Sequence, residues 1–375
     1  MQRLIFELIQ HTPIIHFQAK DMGATLRASE VKPKLDRYLM KQFEKEDLDT
    51  SLIEKWRIPG QEALNYKLSF SLKESTLVEH YLPAYNINEN RKGELYKKRE
   101  ELKDIKILSP SPFFANEEKL KNGEKKGSEL RLAIRCKENI EGEIFSKYQD
   151  LCDKIKSHLE DFFLLHNFGM RQTKGFGSYT ISSISGIRIG DSQKYISQKM
   201  IDIGVLFCLK SKSDNLSFQF RQIVNFHRKI KTGKRKTISE LRRYFLAKGI
   251  EWEKILELKI IDFRQKQGGI RQNFSVRYIR ALLGLHEHFE FPNKKLIRVS
   301  HDNIKRFASP ITYKPIGGVV YIILSEIPYE MFDAEFTFSS DSANKQTIHT
   351  PKDFDLSDFL GFIKDEELID VKKLL

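Results

Sequence analysis

The sequence of 375 residues sets 64 Lys and Arg against 51 Asp and Glu, a formal net charge of +13 at pH 7. With 40% hydrophobic residues, 27 Phe among them, it can bury a core, which excludes a disordered chain. The charge points to a polyanionic partner, nucleic acid before membrane, and no run of about 18 apolar residues is present to span a bilayer.

The length suits one large domain or two ordinary ones. Cys136, Cys152 and Cys208 are isolated in sequence. They make neither a disulfide framework nor a zinc cluster, as expected of buried thiols in a cytoplasmic protein. The first residues alternate like a strand and lack the apolar centre of a signal peptide.

In chain order, residues 4–9 predict a strand that is apolar on both faces and therefore central. His11, Thr12 and Pro13 end it, and a loop with Lys20, Asp21, Gly23 and Arg27 follows. Val31, Leu35, Leu39 and Phe43 recur every four residues and predict a helix over 29–43. Its opposite face is basic at Lys34, Arg37 and Lys41. Residues 64–72 form the clearest strand, with Leu64, Tyr66, Leu68, Phe70 and Leu72 on one side. Residues 83–129 are a long charged excursion. Residues 130–136 read as the next strand, 144–165 as a helix through Tyr148, Leu151, Ile155, Leu159 and Phe162, and 179–184 as a further strand. The order β-α-β-β-α-β is that of a ferredoxin-like unit, an antiparallel sheet with both helices on one face.

The second half is less regular. Residues 201–209 predict a buried strand, and 215–290 predict mostly helix. Ser239 is placed to cap one segment at its start and Gly249 to end it. Gly268 and Gly269 mark a break, and 276–289 predict another helix. Strands are expected at 296–300, 318–324 and 331–338, and a last helix from about residue 356. The expected architecture is α+β: two tandem ferredoxin-like (βαββαβ, RRM-like) domains, 1–195 and 196–375, the first with the excursion at 83–129 and the second with a basic helical insertion at 215–290.

The stretch 166–179, His-Asn-Phe-Gly-Met-Arg-Gln-Thr-Lys-Gly-Phe-Gly-Ser-Tyr, stands out between helix and strand. Gly169, Gly175 and Gly177 permit positive φ and close backbone approach. Free N–H groups in such a loop form an anion-binding concavity. Arg171 and Lys174 add charge, and Phe176 offers a ring to a base. The alternative is a helix C-cap at Gly169 followed by an ordinary turn.

The positive charge is local. Residues 221–248 hold ten Lys and Arg and one Glu, a net +9, which leaves +4 for the rest of the chain. Arg228, Lys229, Lys234, Arg235 and Lys236 lie at the centre of that window, the pattern of a phosphate-binding surface with salt-dependent affinity. No nucleotide-hydrolase, serine-hydrolase or zinc-protease motif is present. His286 and His288, two apart on an expected helix, make a poor metal pair. His16 and Asp21 share a loop with cations and are the candidates for promoting attack of a ribose 2′-OH on its phosphate.

These residues resemble a known family. A first strand ending in Thr12 and Pro13, a loop with Gly23, a basic helix over 26–38 and the Arg-Gln-Thr-Lys-Gly-Phe-Gly-Ser run at 171–178 resemble the RAMP superfamily, the ferredoxin-like RNA-binding proteins of CRISPR effector complexes. In the second half, Arg-Ala-Leu-Leu-Gly-Leu at 280–285 and Arg-Phe-Ala-Ser-Pro-Ile-Thr-Tyr-Lys-Pro at 306–315 resemble C-terminal motifs of the first subunit of type III-B (Cmr) complexes. The first loop departs from the family: Ile14, Ile15, His16, Phe17 and Gln18 stand where it has a glycine pair. The resemblance implies a non-catalytic RNA-binding subunit that contacts guide RNA near its 3′ end and helps capture target RNA, in antiviral defence. It implies other effector subunits as partners, a cytoplasmic location, no membrane, no metal and no cofactor. The alternative is a ribonuclease of the same superfamily, processing guide RNA through a histidine or cutting target RNA through Asp21. The expected RNA-binding residues are Lys20, Arg27, Lys34, Arg37, Arg171, Lys174, Gly175, Phe176, Gly177, Arg228, Lys229, Lys234, Arg235, Lys236, Arg306 and Lys314.

Overall fold

In a computed structural model of the chain, the residues described are 2–16, 24–83, 106–108, 132–210, 213–233, 237–254, 257, 274–285, 288–290, 296–340 and 345–375. They form two compact units. The first takes Met1–Ile223 with Tyr313–Ile322 and Ile369–Leu375, the second Val224–Thr312 with Ile323–Leu368.

The elements up to the basic window are β1 (Gln2–Gln10), β2 (Ile14–Ile15), α1 (Ala28–Lys45), α2 (Thr50–Trp56), β3 (Tyr66–Leu72), β4 (Val78–Pro83), β5 (Lys106–Leu108), β6 (Ala133–Cys136), β7 (Ile140–Ser146), α3 (Gln149–Leu165), β8 (Tyr179–Ile184), β9 (Ile187–Arg188), α4 (Gln193–Asp202), β10 (Phe207–Lys210) and α5 (Leu216–Lys231). There follow α6 (Glu240–Ala247), β11 (Ile250–Trp252), β12 (Ser275–Arg277), β13 (His288–Glu290), β14 (Leu296–Ser300), β15 (Ile311–Ile316), β16 (Val319–Leu324), β17 (Glu335–Ser340), β18 (Lys345–His349), α7 (Leu356–Phe362) and β19 (Leu368–Asp370).

The first unit is built on a five-stranded sheet in the order β3-β7-β1-β8-β9. All its pairings are antiparallel. One face is apolar because side chains alternate along each strand: Leu4, Phe6 and Leu8 of β1 join Ile140 and Ile144 of β7 in one core. Val31, Leu35, Leu39 and Phe43 of α1 enter the same core, as do Leu151, Ile155, Leu159, Phe162 and Phe163 of α3. Both helices therefore cover one face of the sheet. Each closed Leu, Ile or Phe side chain stabilises by roughly 1.5–3 kcal/mol relative to exposure. α1 begins and ends near the expected positions, with Glu30 in its first turn and Lys45 in its last, each matched to the helix dipole.

The third strand of this sheet corrects the sequence expectation. Of residues 130–136 only Ala133–Cys136 is a described strand, and it pairs with β4 and β2 in a separate sheet, order β2-β6-β4-β5. β7 takes the place between β3 and β1, where the pattern had begun a helix at 144; α3 starts at Gln149. Its inward residues are Ile140, Gly142, Ile144 and Ser146, so the apolar alternation is broken. The Phe6 ring fills the gap: a Cβ on Gly142 would stand 2.2 Å from Phe6 Cζ. Apart from Pro83, the last residue of β4, and β5, the charged excursion falls outside the described residues.

A four-stranded sheet, order β15-β16-β10-β19, lies mostly in the first unit. The expected strand at 201–209 is the end of α4, a turn through Gly204 at φ +86°, and β10. The second unit holds the antiparallel sheet β13-β14-β17-β18 and the parallel pair β11-β12. The helix expected at 276–289 is instead β12, a 3-10 turn at Ile279–Leu283, and β13. One tight turn already buries Ile279, Leu282 and Leu283, and Gly284, at φ +108°, ends it. His288 thus belongs to a strand, while His286, Gly268 and Gly269 lie outside the described residues. Ser239 caps α6 by accepting from the Arg242 amide, and Gly249 takes φ +73° just past its end. β14, β16 and α7 match the expected elements, and β17 begins at Glu335 after a 3-10 turn at Tyr329–Met331.

Candidate nucleic-acid interface

α3 ends at Leu165, with His166 as C-cap: its amide donates to Phe162 O (3.1 Å) and its Nδ1 lies 2.8 Å from the same oxygen. The helix therefore stops four residues before Gly169. Gly169, Gly175 and Gly177 have φ of +81°, +92° and +67°. The need for glycine is steric as well: a Cβ at Gly177 would stand 1.9 Å from Phe168 O.

The amides of this loop are engaged by the protein. Phe168 N–H donates to Gly177 O (2.9 Å), Met170 N–H to Ile15 O (2.9 Å), Lys174 N–H to Arg171 O (2.8 Å) and Gly175 N–H to Gln172 O (3.2 Å). Gly177 N–H donates to Pro13 O (2.9 Å), and Ser178 N–H to Thr12 Oγ1 (2.9 Å). The Gly169 amide donates to the Glu30 carboxylate. Thr12 Oγ1 in turn donates to Gly175 O at 2.7 Å. The Thr12-Pro13 pair that drew notice in the sequence is thus the brace of the glycine-rich turn.

Phe176 is fully buried, its ring 4.5 Å from that of Phe220 and tilted 30°. This corrects the expectation of a ring offered to a base, and of Gly175 and Gly177 amides aimed at a phosphate. Lys314 is corrected likewise. It is 0% exposed, and its Nζ donates to His166 O (2.7 Å) and Tyr179 O (2.8 Å), the two ends of the stretch. Ser178 Oγ donates to Pro315 O (2.6 Å), and Asn167 Nδ2 to Tyr313 O (2.8 Å) and Gln172 O (2.8 Å).

Lys34 reaches the same turn from α1, donating to Asn167 O (3.0 Å) and the Gln172 side chain, 3.8 Å from Glu30. Burial lowers its pKa, and that of Lys314 more strongly. Burial, helped by Arg171, brings Lys174 down to about 8. Arg171 is half-buried and holds φ +59°, a left-handed conformation uncommon outside glycine. Arg37 is exposed on α1, and Arg27, the N-cap residue of that helix, is half-buried. Burial, and then the charges of Lys34, Lys314 and Arg37, hold His166 down to about 4; His11, 2.8 Å from Thr180 Oγ1, falls to about 3 by burial and then Lys314 and Arg135. His16 is buried; Lys20 and Asp21 lie outside the described residues.

The basic window divides by role. Arg228 is exposed on α5. Lys229 is paired with Asp365 (2.7 Å), and Lys231, 5% exposed, donates to Leu283 O (3.0 Å) and Gly284 O (2.7 Å). Arg242 grips Glu251 with two bonds of 2.7 and 2.9 Å. Lys234, Arg235 and Lys236 lie outside the described residues. Arg306 is exposed. Arg280, from the Arg-Ala-Leu-Leu-Gly-Leu run, is enclosed between the buried carboxylates of Glu253 and Glu257. Its place is the interior of the second unit, which the sequence motif alone did not reveal. Among the described residues no metal-binding cluster occurs and no helix is long and apolar enough to cross a membrane.

These features define a two-unit, mixed α/β protein with a braced glycine-rich turn and an excess of cations. The family model described as the Cmr1 N-terminal domain matches residues 1–234, and that of the Cmr1 C-terminal domain matches 236–373. The chain belongs to the Cmr1 family, the type III-B family that its motifs resemble. It is similar to the crystal structure of Cmr1 from Pyrococcus furiosus in the apo form, at 12% identity over 99% of both chains with a TM-score of 0.43. It is also similar to a chain in the cryo-EM structure of the Type III-B Cmr-beta bound to cognate target RNA, at 15% identity over 50% of this chain and 60% of that one, TM-score 0.28. No curated protein matches it.

Proposed function

We propose that the chain is an RNA-binding subunit of a type III-B CRISPR effector complex, contacting guide RNA near its 3′ end and helping to capture target RNA in antiviral defence. The observation that carries this reading is the match of both Cmr1 domain families along nearly the whole chain. The net charge of +13 supports it. Its partners are then guide RNA, target RNA and other effector subunits in the cytoplasm. The finer fold reading, tandem ferredoxin-like domains, belongs to the same proposal; the strand order β3-β7-β1-β8 with α1 and α3 on one face supports its first half.

The RNA-contacting residues proposed are the exposed Arg37, Arg228 and Arg306 and the half-buried Arg27, Arg171 and Lys174, together with Lys20, Lys234, Arg235 and Lys236. Phe176, Gly175, Gly177, Lys314, Lys34 and Lys229 act through the fold. The ribonuclease alternative rests on His16 and Asp21, and the burial of His16 does not favour it. The test is purification of the chain with its complex. Co-purified RNA of uniform short length, displaced by RNA and not by DNA, is the expected result; absence of any RNA overturns the proposal. RNA cleavage by the chain alone would move it to the enzyme class.

A further inference from the structure

β3 ends the five-stranded sheet. Its neighbour is β7, and no described strand pairs with its other edge. Its seven residues pair with β7 without a bulge, from Tyr66 opposite Ser146 to Leu72 opposite Ile140. The outer row of N–H and C=O groups is therefore regular, the template that an added strand requires. Edge strands are ordinarily protected by charged side chains, proline, bulges or inward-pointing charge. β3 has no proline, bulge or inward charge, and its one guard is the outward Lys67 near its start, which leaves residues 68–72 unprotected.

The side chains extend the same surface. Leu68, Phe70 and Leu72 lie on the core side but are only half-buried, whereas Leu4, Phe6 and Leu8 of β1 are closed to solvent. One turn beyond β3, Leu77 and Val78 are 60% and 40% exposed. On the opposite side Ser69 and Ser71 are paired across to Glu143 and Glu141 of β7. Glu143 is paired with Arg3, and the Glu141 carboxylate beside Ser71 disfavours a phosphodiester. A phosphate group, moreover, only accepts hydrogen bonds, while a strand edge presents donors and acceptors alternately. Two copies of a chain with net charge +13 repel one another.

We propose that the edge of β3 that no described strand covers receives an extended segment of another polypeptide as a sixth strand, with apolar side chains on the side of Leu68, Phe70 and Leu72 and an acidic side chain beside Lys67. This is recognition by strand addition, in which main-chain hydrogen bonds supply affinity and alternate side chains supply specificity. It does not depend on the RNA-binding reading.

Hydrogen exchange of the amides of residues 66–72 tests it, in the purified chain alone, with single-stranded RNA, and in the effector complex recovered through a tag on this chain. The free chain should exchange fast at the outward amides and be monomeric by light scattering. The complex should slow them by about tenfold or more, and RNA alone should not. The double variant Ser69→Lys, Ser71→Lys should keep the melting temperature of the parent and bind RNA no more weakly, yet lose both the protection and the adjoining protein. Slow exchange in the free chain would show the edge already covered and overturn the proposal. So would protection by RNA alone, a β3-dependent dimer, or unchanged exchange in the complex.

Discussion

The ring of Phe176 packs on that of Phe220 at 4.5 Å between centroids, and both are fully buried. This pair turns the Gly-Phe-Gly segment from a ligand platform into an internal joint. Phe176→Ala should therefore act on folding: removal of a buried aromatic ring costs about 3–5 kcal/mol. Denaturant unfolding measures it, and RNA affinity of the protein that remains folded should match the parent. Gly177→Val should be worse, since φ +67° and the Phe168 carbonyl both exclude a side chain. A Phe176→Ala protein of normal stability and weakened RNA binding would contradict this role.

Acid should destabilise the first unit through His11 and His166. Their folded pKa values fall to about 3 and about 4, each chiefly through burial, against about 6.5 when unfolded. Between these values the unfolded chain binds more protons, so stability rises with pH. The contribution is complete above pH about 6.5 and drains away as pH falls toward 4. His11→Asn and His166→Gln should each flatten the dependence of unfolding free energy on pH between about 6.5 and 4.5. An equal slope in the parent and both variants would place the acid sensitivity elsewhere.

Much of the first unit was legible in the sequence because its residues answer to local rules. α1 declares itself through Val31, Leu35, Leu39 and Phe43, and β3 through strict alternation. The glycine-rich turn was visible as a feature but not as a joint. Gly175 and Gly177 signal positive φ, but whether their amides face solvent depends on Thr12, Pro13 and Lys314, which lie far off in the chain. Lys314 and Arg280 show the same limit. A cation in a basic protein reads as a phosphate ligand, and only tertiary structure shows two carbonyls or two carboxylates closing around it.

Exposed and engaged cations should separate in RNA binding. Arg37→Ala and Arg228→Ala, both at exposed helix positions, should weaken binding of all sequences alike and lower the salt slope by about 0.7–0.9 each, with the melting temperature unchanged. The triple change of Lys234, Arg235 and Lys236 to Ala should lower the slope by up to about three times as much. Lys314→Met should instead disturb the fold, leaving His166 and Tyr179 carbonyls buried without their donor. Identical slopes for parent, Arg37→Ala and Arg228→Ala would remove these residues from the RNA path.

The place of β7 in the sheet rests on one exchange of volume, and that exchange is testable. Phe6 projects from β1 into the space that a side chain at position 142 would occupy, with three ring atoms within 2.2–2.8 Å of a Cβ there. The aromatic ring is also held by Phe70 and Phe163, at 6.1 and 5.9 Å between centroids, so it has little room to retreat. Gly142→Ala should thus destabilise by about 1–3 kcal/mol through overpacking, although alanine is ordinarily no worse than glycine in a strand. Phe6→Leu should destabilise as well, by leaving space beside Gly142. The two changes share one volume, so the double variant should be more stable than the sum of the single effects implies, by at least about 0.5 kcal/mol. Strict additivity would mean that the ring and the missing Cβ are independent, and that β7 owes its position to its other inward residues, Ile140 and Ile144.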